Sequence, residues 1–125
     1  MTRPVLIVED DIDLLFMFKT IIQRSISADL ILTANGGEEG VALLAEHVPS
    51  VIVLDLAMPH INGNDVIHYI LSDPRLDESR IIVVTAVPMR LSVEGLARVS
   101  AVLTKPVSPR ELDQIVNHFA AEMSS

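Results

Sequence analysis

Short apolar runs alternate with segments of helical periodicity along the whole chain. The apolar runs are Val5–Val8, Leu30–Leu32, Val51–Leu54, Ile81–Val84 and Val102–Leu103. Short apolar runs without polar interruption are typical of strands that are buried on both faces, as in a parallel sheet. Five strand–helix repeats therefore predict an α/β fold, in which helices cover both faces of a parallel sheet and the crossovers are right-handed.

The segments between these runs place their apolar residues at intervals of three and four, as one face of a helix does. The predicted faces are Leu14, Leu15, Phe18, Ile21 and Ile22; Val41, Leu44, Ala45 and Val48; Ile67, Ile70 and Leu71; and Leu112, Ile115, Val116 and Phe119. Capping signals mark the helix starts, with Ser108-Pro109-Arg110-Glu111 before the last helix and Asn35 with Glu38 resembling a capping box. The weakest segment, Pro88–Val99, predicts a short helix whose face would be Val93, Leu96 and Ala97.

Composition limits the classes of function. A chain of 125 residues fits one domain, 1–125, with a core of residues 4–120 and no output domain. No apolar run approaches membrane-spanning length and no signal-peptide pattern precedes the first strand, so we expect a cytoplasmic protein without membrane contact. The absence of cysteine excludes disulfides and thiolate metal sites. A net charge of −8 and few aromatic residues disfavour nucleic-acid binding.

Acidic residues follow two of the predicted strands. Glu9, Asp10 and Asp11 come directly after the first apolar run, and Asp55 comes directly after the third. Because the carboxyl ends of parallel strands meet at one edge of the sheet, these carboxylates would share a pocket if the strands are neighbours. Such crowding is unfavourable unless a cation or a proton relieves it. The sequence therefore predicts a divalent metal site beside a potential nucleophile.

Two further motifs follow the last two strands, namely Thr85-Ala86 and Lys105-Pro106. With the acidic pair and Asp55-x-x-Met58-Pro59-x-x-x-Gly63, in this order and spacing, the chain from Val5 to Phe119 resembles the receiver domains of two-component response regulators. The resemblance is to the single-domain, chemotaxis-regulator-like members. It implies a flavodoxin-like, doubly wound five-stranded parallel sheet of strand order 2-1-3-4-5, with a switch point between strands 1 and 3.

The resemblance implies a phosphoacceptor and a metal site. Asp55 would attack the phosphorus of a phosphohistidine and form an aspartyl phosphate. Glu9, Asp10, Asp55 and the backbone carbonyl of Ala57 would hold Mg²⁺, since all of them are hard oxygen donors. Asp11 is a further candidate ligand, but its position favours the N-cap of the first helix.

The resemblance also implies how the phosphoryl group is contacted. Lys105 would supply a point positive charge, Thr85 would hydrogen-bond an oxygen, and the small Ala86 would let its backbone N–H approach. Family members usually carry an aromatic residue three positions before the lysine, where this chain has Val102. A β-branched aliphatic side chain has no ring to swing inward. We therefore expect the phosphorylation chemistry to be kept, while the coupling of Thr85 to the switch position Val102 and the output surface is altered.

The sequence predicts a phosphoacceptor switch in a two-component or phosphorelay pathway. It would take its phosphoryl group from a histidine kinase or histidine phosphotransfer protein and signal through a downstream protein, with weak homodimerisation left open. It would phosphorylate itself and turn over no free substrate, so we do not expect an enzyme. Two alternatives stay open: a phosphorylation-independent receiver-like adaptor, and a receiver domain excised from a hybrid kinase or larger regulator. A haloacid-dehalogenase-type phosphatase is disfavoured, because it needs a second acid where Ala57 lies.

Overall fold

The computed structural model describes residues 3–124, with side chains as far as residue 122. Residues 1, 2 and 125 of the predicted domain lie outside the described residues. The strands are β1 (Val5–Val8), β2 (Ile31–Ala34), β3 (Val51–Leu54), β4 (Arg80–Thr85) and β5 (Ala101–Thr104). The α-helices are α1 (Ile12–Ile22), α2 (Gly37–Glu46), α3 (Gly63–Leu71), α4 (Val93–Arg98) and α5 (Pro109–Ser124). Within this span, no helix combines the length and the apolar character that a membrane crossing requires.

The five strands form one parallel sheet in the order β2-β1-β3-β4-β5, which confirms the predicted fold class. The chain builds outward from β1 to β2, then crosses to the other side of β1 to build β3, β4 and β5. The direction of winding therefore reverses between β1 and β3. In open α/β sheets this reversal leaves a crevice beyond the carboxyl ends of the two strands.

Two separate apolar layers hold the helices on the sheet, because successive residues of a strand point to opposite faces. Val5 and Ile7 of β1 pack with α1 and α5 on one face. Leu6 and Val8 pack with α2 and α3 on the other face. All four residues are at most 1% exposed, so β1 is covered on both sides. This double burial explains why the first and third strands are uninterrupted apolar runs.

Several local predictions are wrong. Leu71, predicted on the apolar face of its helix, is 44% exposed, Ala45 is exposed, and Val48 lies beyond the end of α2. The apolar face predicted for α4 points to solvent, with Val93 83% and Leu96 66% exposed, while Gly95 is its buried residue. Gly95 can face inward because its missing side chain lets the helix lie close to Leu91 and to Ile67 of α3. Asn35 is not a helix cap either, since α2 begins after Gly36. The Asn35 backbone N–H instead donates to Oε2 of Glu39 at 2.9 Å.

Candidate functional site

The carboxyl ends of β1 and β3 place two buried acids side by side. The strand register pairs Val8 with Leu54, so the residues that follow, Glu9 and Asp55, lie at the same edge of the sheet. The Asp55 N–H donates to the Val8 carbonyl at 3.2 Å, and the Glu9 N–H donates to the Ala34 carbonyl at 3.1 Å. These bonds continue the ladder past the strand ends. Both side chains are buried, Glu9 being 1% exposed and Asp55 6%.

Lys105 supplies the cation that faces both acids. Its backbone N–H donates to the Thr85 carbonyl at 2.9 Å, so the chain after β5 remains tied to β4. Its Nζ donates to Glu9 Oε1 at 2.7 Å and to Asp55 Oδ2 at 2.9 Å. Residues from the ends of β1, β3 and β5 thus meet around one ammonium group. Side chains that only pack the core do not bring two carboxylates to one ammonium in this way.

Asp10 completes a group of three carboxylates. Among the described residues, Glu9, Asp10 and Asp55 can bring one oxygen each within 4.8 Å of the others. Asp10 is the most exposed member, so it lies on the solvent side of the group. Asp11 serves as the N-cap of α1, because its Oδ1 accepts two backbone N–H groups of the first turn at 3.0 and 3.3 Å. Three carboxylates against one lysine leave an excess of negative charge.

Burial and hydrogen bonding together raise the pKa values of two of these groups, Glu9 and Lys105. Burial raises the pKa of Glu9, and this outweighs the hydrogen bond from Lys105, which lowers the pKa. Burial of the Lys105 ammonium acts to lower its pKa, but the hydrogen bonds to Glu9 and Asp55 outweigh burial and raise the pKa. The lysine is therefore held firmly in its charged form. The site favours an added positive charge or proton near Glu9.

The loop after Asp55 is shaped by its backbone. Asp55 Oδ1 accepts the Ala57 N–H at 3.3 Å, and the side chain of Ala57 is exposed. The Gly63 N–H donates to the Leu56 carbonyl at 2.9 Å, which closes the loop at the start of α3. A Cβ atom added at Gly63 would lie 2.6 Å from the Cα of Leu56, so only glycine allows this approach. The Ala57 carbonyl belongs to this closed loop beside the carboxylates.

The end of β4 supplies the remaining predicted residues. Thr85 is fully buried, and its Oγ1 accepts the Val87 N–H at 3.2 Å. Ala86, the next residue, is exposed at the same edge of the sheet as Lys105. Val102 lies on β5 opposite Val83 of β4 and packs, half-buried, against the apolar layer beneath α2 and α3. The structure thus places Thr85 and Ala86 at the same edge of the sheet as Lys105. Val102 lies further back along β5, in the apolar layer beneath α2 and α3.

Two asparagines near the site were missed by the sequence interpretation. With its amide oriented to satisfy its neighbours, Asn35 donates to the backbone carbonyls of Asp10 at 2.8 Å and Glu9 at 3.3 Å. Asn64, in the first turn of α3, bonds two backbone groups of the segment before α4. Asn35 could have been found as the polar residue that directly follows β2, the neighbour of β1. Nothing local in the sequence indicates the partners of Asn64.

Comparisons with known proteins agree with this geometry. The sequence model of the family "Response regulator receiver domain" matches residues 5–117. The polar-differentiation response regulator DivK of Brucella abortus is 31% identical over 122 residues, which cover 95% of this chain and 98% of DivK. A CheY-like receiver domain protein of Methanospirillum hungatei has a TM-score of 0.82 and 28% identity, over 95% of this chain and 94% of that one. Thermotoga maritima TrrA, solved in complex with Mg²⁺–BeF, has a TM-score of 0.80 and 26% identity, over 95% and 99%.

Receiver domains are phosphoacceptor switches rather than conventional enzymes, and they bind Mg²⁺ at an acidic cluster. A strand order of 2-1-3-4-5, an acidic cluster at the switch point and a family match over residues 5–117 all lead to one assignment. The chain belongs to the response regulator receiver domain family and is similar to DivK over almost its entire length.

Proposed function

We propose that this protein is a switch whose phosphoacceptor is Asp55, loaded by a histidine kinase or a histidine phosphotransfer protein. One observation carries the proposal: a single ammonium, Lys105 Nζ, contacts both Glu9 Oε1 and Asp55 Oδ2 beside a third carboxylate. The downstream partner would be another protein, and the acidic charge of the chain disfavours nucleic acid. We place the switch in the cytoplasm, as one receiver domain.

The donor set fits Mg²⁺. Glu9, Asp10 and Asp55 offer carboxylate oxygens, and the Ala57 carbonyl would add a fourth oxygen from the loop. Burial raises the pKa of Glu9, and the single charge of Lys105 is smaller than the negative charge of the three carboxylates. A divalent cation would therefore stabilise the charged carboxylates. When bound, Mg²⁺ would neutralise charge that develops on the transferring phosphoryl group. These residues would hold the ion without any cysteine or histidine ligand.

Each side chain of the site would have a separate role in the phosphoryl transfer. A carboxylate oxygen of Asp55 forms a bond to phosphorus as the P–N bond to the donor imidazole breaks, and the imidazole keeps the electron pair. Lys105 can leave Asp55 Oδ2 for a phosphoryl oxygen while staying close to Glu9. The Thr85 hydroxyl would exchange its bond with the Val87 N–H for one to another phosphoryl oxygen. Ala86 leaves space for the group.

Phosphoramidate tests the proposal, because its P–N bond resembles that of phosphohistidine. We expect intact-mass analysis to show one phosphoryl adduct in the presence of Mg²⁺, and none for Asp55→Asn. Asp13→Asn is the matched control, since Asp13 is an exposed first-turn acid of α1, and it should be modified like wild type. An adduct that persists in Asp55→Asn would place the phosphoryl group elsewhere and contradict the assignment.

The phosphorylation-independent adaptor is the competing outcome. It is suggested by Val102, which offers no aromatic ring at the switch position. A protein that binds Mg²⁺ but takes up no phosphoryl group, and whose amide NMR spectrum is unchanged by beryllium fluoride, would support the adaptor. Changes at Asp55, Thr85 and Lys105 that vanish in Asp55→Asn would support the phosphoacceptor.

A further inference from the structure

We infer that Asn64 is a positioning residue that links the loop carrying Asp55 to α4, so that occupancy of the site alters the position of α4. The inference rests on the proposed function, since it needs a change at Asp55 to transmit. The two side-chain hydrogen bonds of Asn64 join it to backbone groups and not to the carboxylates of the site. Three consecutive contacts lead from the backbone beside Asp55 to α4, whose N-cap is Ser92.

The first contact ties α3 to the phosphoacceptor strand. Gly63, the first residue of α3, donates its N–H to the Leu56 carbonyl at 2.9 Å. A Cβ atom on Gly63 would overlap the carbonyl of Asp55 and lie 2.6 Å from the Cα of Leu56. The start of α3 therefore rests directly on the backbone that carries Asp55. A shift of that backbone must move the first turn of α3 as well.

The second contact is made by the next residue, Asn64. Its Nδ2 donates to the Arg90 carbonyl at 2.8 Å, and its Oδ1 accepts the Ser92 N–H at 2.9 Å. Both amide functions are used, and both partners are backbone groups of one short segment. Two bonds from one planar amide fix that segment in distance and in orientation. The segment cannot shift relative to α3 without breaking at least one of them.

The third contact reaches α4 itself. The Ser92 side chain accepts the Gly95 N–H at 3.0 Å, so the residue held by Asn64 is the N-cap of α4. At the other end, Arg98 Nη2 donates to the carbonyls of Leu76, Asp77 and Ser79 at 2.7 to 3.3 Å. The helix is therefore tied at both ends by side chains. Asn64 and Arg98 anchor these ends to different parts of the fold.

Because α4 buries little apolar surface, the contacts at its two ends determine its position. The helix has six residues, and Gly95 is its buried position. Its outer residues Val93 and Leu96 are 83% and 66% exposed, and Met89 before the helix is 79% exposed. A helix of this length with so little buried apolar surface is not held by its own packing. Movement of the Asn64 end would therefore tilt α4 about the Arg98 end and displace this apolar surface.

Amide NMR with Mg²⁺, before and after beryllium fluoride is added, tests the link. In wild type we expect shifts at Asp55, Thr85 and Lys105, and also along α4. In Asn64→Ala the shifts at the site should remain, while those in α4 should fall to less than about half of their wild-type size, because the coupling free energy is reduced. Asn64→Asp keeps an acceptor for the Ser92 N–H but loses the donor, so it should restore the α4 shifts in part.

Asn117→Ala is the matched control. Asn117 is also a helical asparagine whose amide donates to two oxygens, both of Asp113, but it lies in α5. It should leave the α4 shifts unchanged. Wild-type α4 shifts in Asn64→Ala, or an equal loss in Asn117→Ala, would overturn the inference. A spectrum without any response at Asp55 would instead overturn the proposed function.

A measurement on wild type covers the case in which Asn64→Ala does not fold. The Ser92 amide donates to Asn64, so its hydrogen-exchange protection reports on this bond. We expect beryllium fluoride to change the exchange rate of the Ser92 amide by more than that of the Gly95 amide, which is bonded within the cap. Equal exchange of the Ser92 amide in both states, with a clear response at Asp55, would refute the role of Asn64.

Discussion

Replacing Lys105 with methionine removes the positive charge of the site and little of its volume. In wild type the ammonium lies 2.7 Å from Glu9 Oε1 and 2.9 Å from Asp55 Oδ2. Methionine keeps an unbranched apolar stem but leaves both carboxylates without a cation. We therefore expect Lys105→Met to unfold more easily than wild type when divalent ions are absent.

The size of the loss follows from the burial of the partners. Removing one member of a buried ion pair costs about 3–5 kcal/mol, because the other charge stays buried and unpaired. Glu9 and Asp55 are 1% and 6% exposed, but the Lys105 side chain is 18% exposed, so water reaches the cluster from the lysine side. Solvent access places the expected loss at the lower limit, about 3 kcal/mol in the free energy of unfolding.

A proton or Mg²⁺ should each offset part of this loss. Burial already raises the pKa of Glu9 above its ordinary value of 4.5, and loss of the Lys105 hydrogen bond raises it further. A raised pKa in the folded state means that the folded protein binds more protons, so stability falls as pH rises from 4.5 through the folded pKa. In the variant this fall extends to higher pH. Acidification from pH 7.5 toward the raised pKa should therefore narrow the difference from wild type.

Mg²⁺ should act in the same direction at constant pH. An ion present at one hundred times its dissociation constant stabilises the folded state by about 2.7 kcal/mol. The variant has no ammonium that competes for the carboxylates, so it should bind Mg²⁺ more tightly. Each tenfold gain in affinity would recover about 1.4 kcal/mol of the deficit. The variant should thus depend on Mg²⁺ for stability more strongly than wild type.

Urea denaturation in EDTA and in Mg²⁺, at two pH values, measures these effects. Lys19→Met is the matched control: Lys19 lies in α1, away from the carboxylates, and its loss should change the unfolding free energy by less than about 0.5 kcal/mol. A Lys105→Met protein as stable as wild type in EDTA would refute the reasoning. That result would mean that the desolvation free energy of the buried ammonium is as large as the stabilisation from its two ion pairs.

Three further changes test other parts of the site. Ala57→Asn should shorten the lifetime of the aspartyl phosphate about tenfold, the effect of roughly 1.4 kcal/mol on the barrier, because an amide can orient the attacking water; an unchanged decay rate after removal of excess donor would contradict this. Asp10→Asn should weaken Mg²⁺ binding in calorimetry by on the order of tenfold, while Asp13→Asn should not; equal affinities would exclude Asp10 as a ligand. Gly63→Ala should lower the free energy of unfolding by more than about 2 kcal/mol, because its Cβ would strike the backbone after β3; near wild-type urea unfolding would show that the loop can yield.

Much of the fold could be predicted from the hydrophobic pattern. The bounds of β1 and β3 match the apolar runs, because central strands of a parallel sheet are buried on both faces and contain no polar residue. β4 extends one residue further at each end than its run, Ile81–Val84, because Arg80 and Thr85 are polar but still paired with neighbouring strands. Apolar runs mark where a strand is buried, whereas hydrogen bonds decide where it ends.

The orientation of α4 could not be predicted in this way. A periodic pattern assumes that the apolar residues of a helix face the core, and Gly95 contributes no apolar signal. In the structure Gly95 is nevertheless the contact, since an added Cβ would lie 2.8 Å from Leu91 and 3.4 Å from Ile67. Asn35 misled for a related reason, because its side chain serves the neighbouring strand instead of the following helix. Both outcomes depend on tertiary contacts that no local window contains.

The backbone that carries Glu9 and Asp55 is rigid, whereas α4 is held in place by side chains. This difference determines which of the two can move when the site is occupied. Glu9 and Asp55 follow central strands, and their N–H groups continue the ladder of backbone hydrogen bonds. Large movements of these residues would break the sheet, whereas small shifts of the backbone after Asp55 can reach α4 through Gly63 and Asn64. α4, in contrast, is held mainly by Asn64 at one end and Arg98 at the other, with little buried surface between them. Charge neutralisation at the buried carboxylates therefore changes the forces on a backbone that cannot move far. The larger change of position is expected in α4.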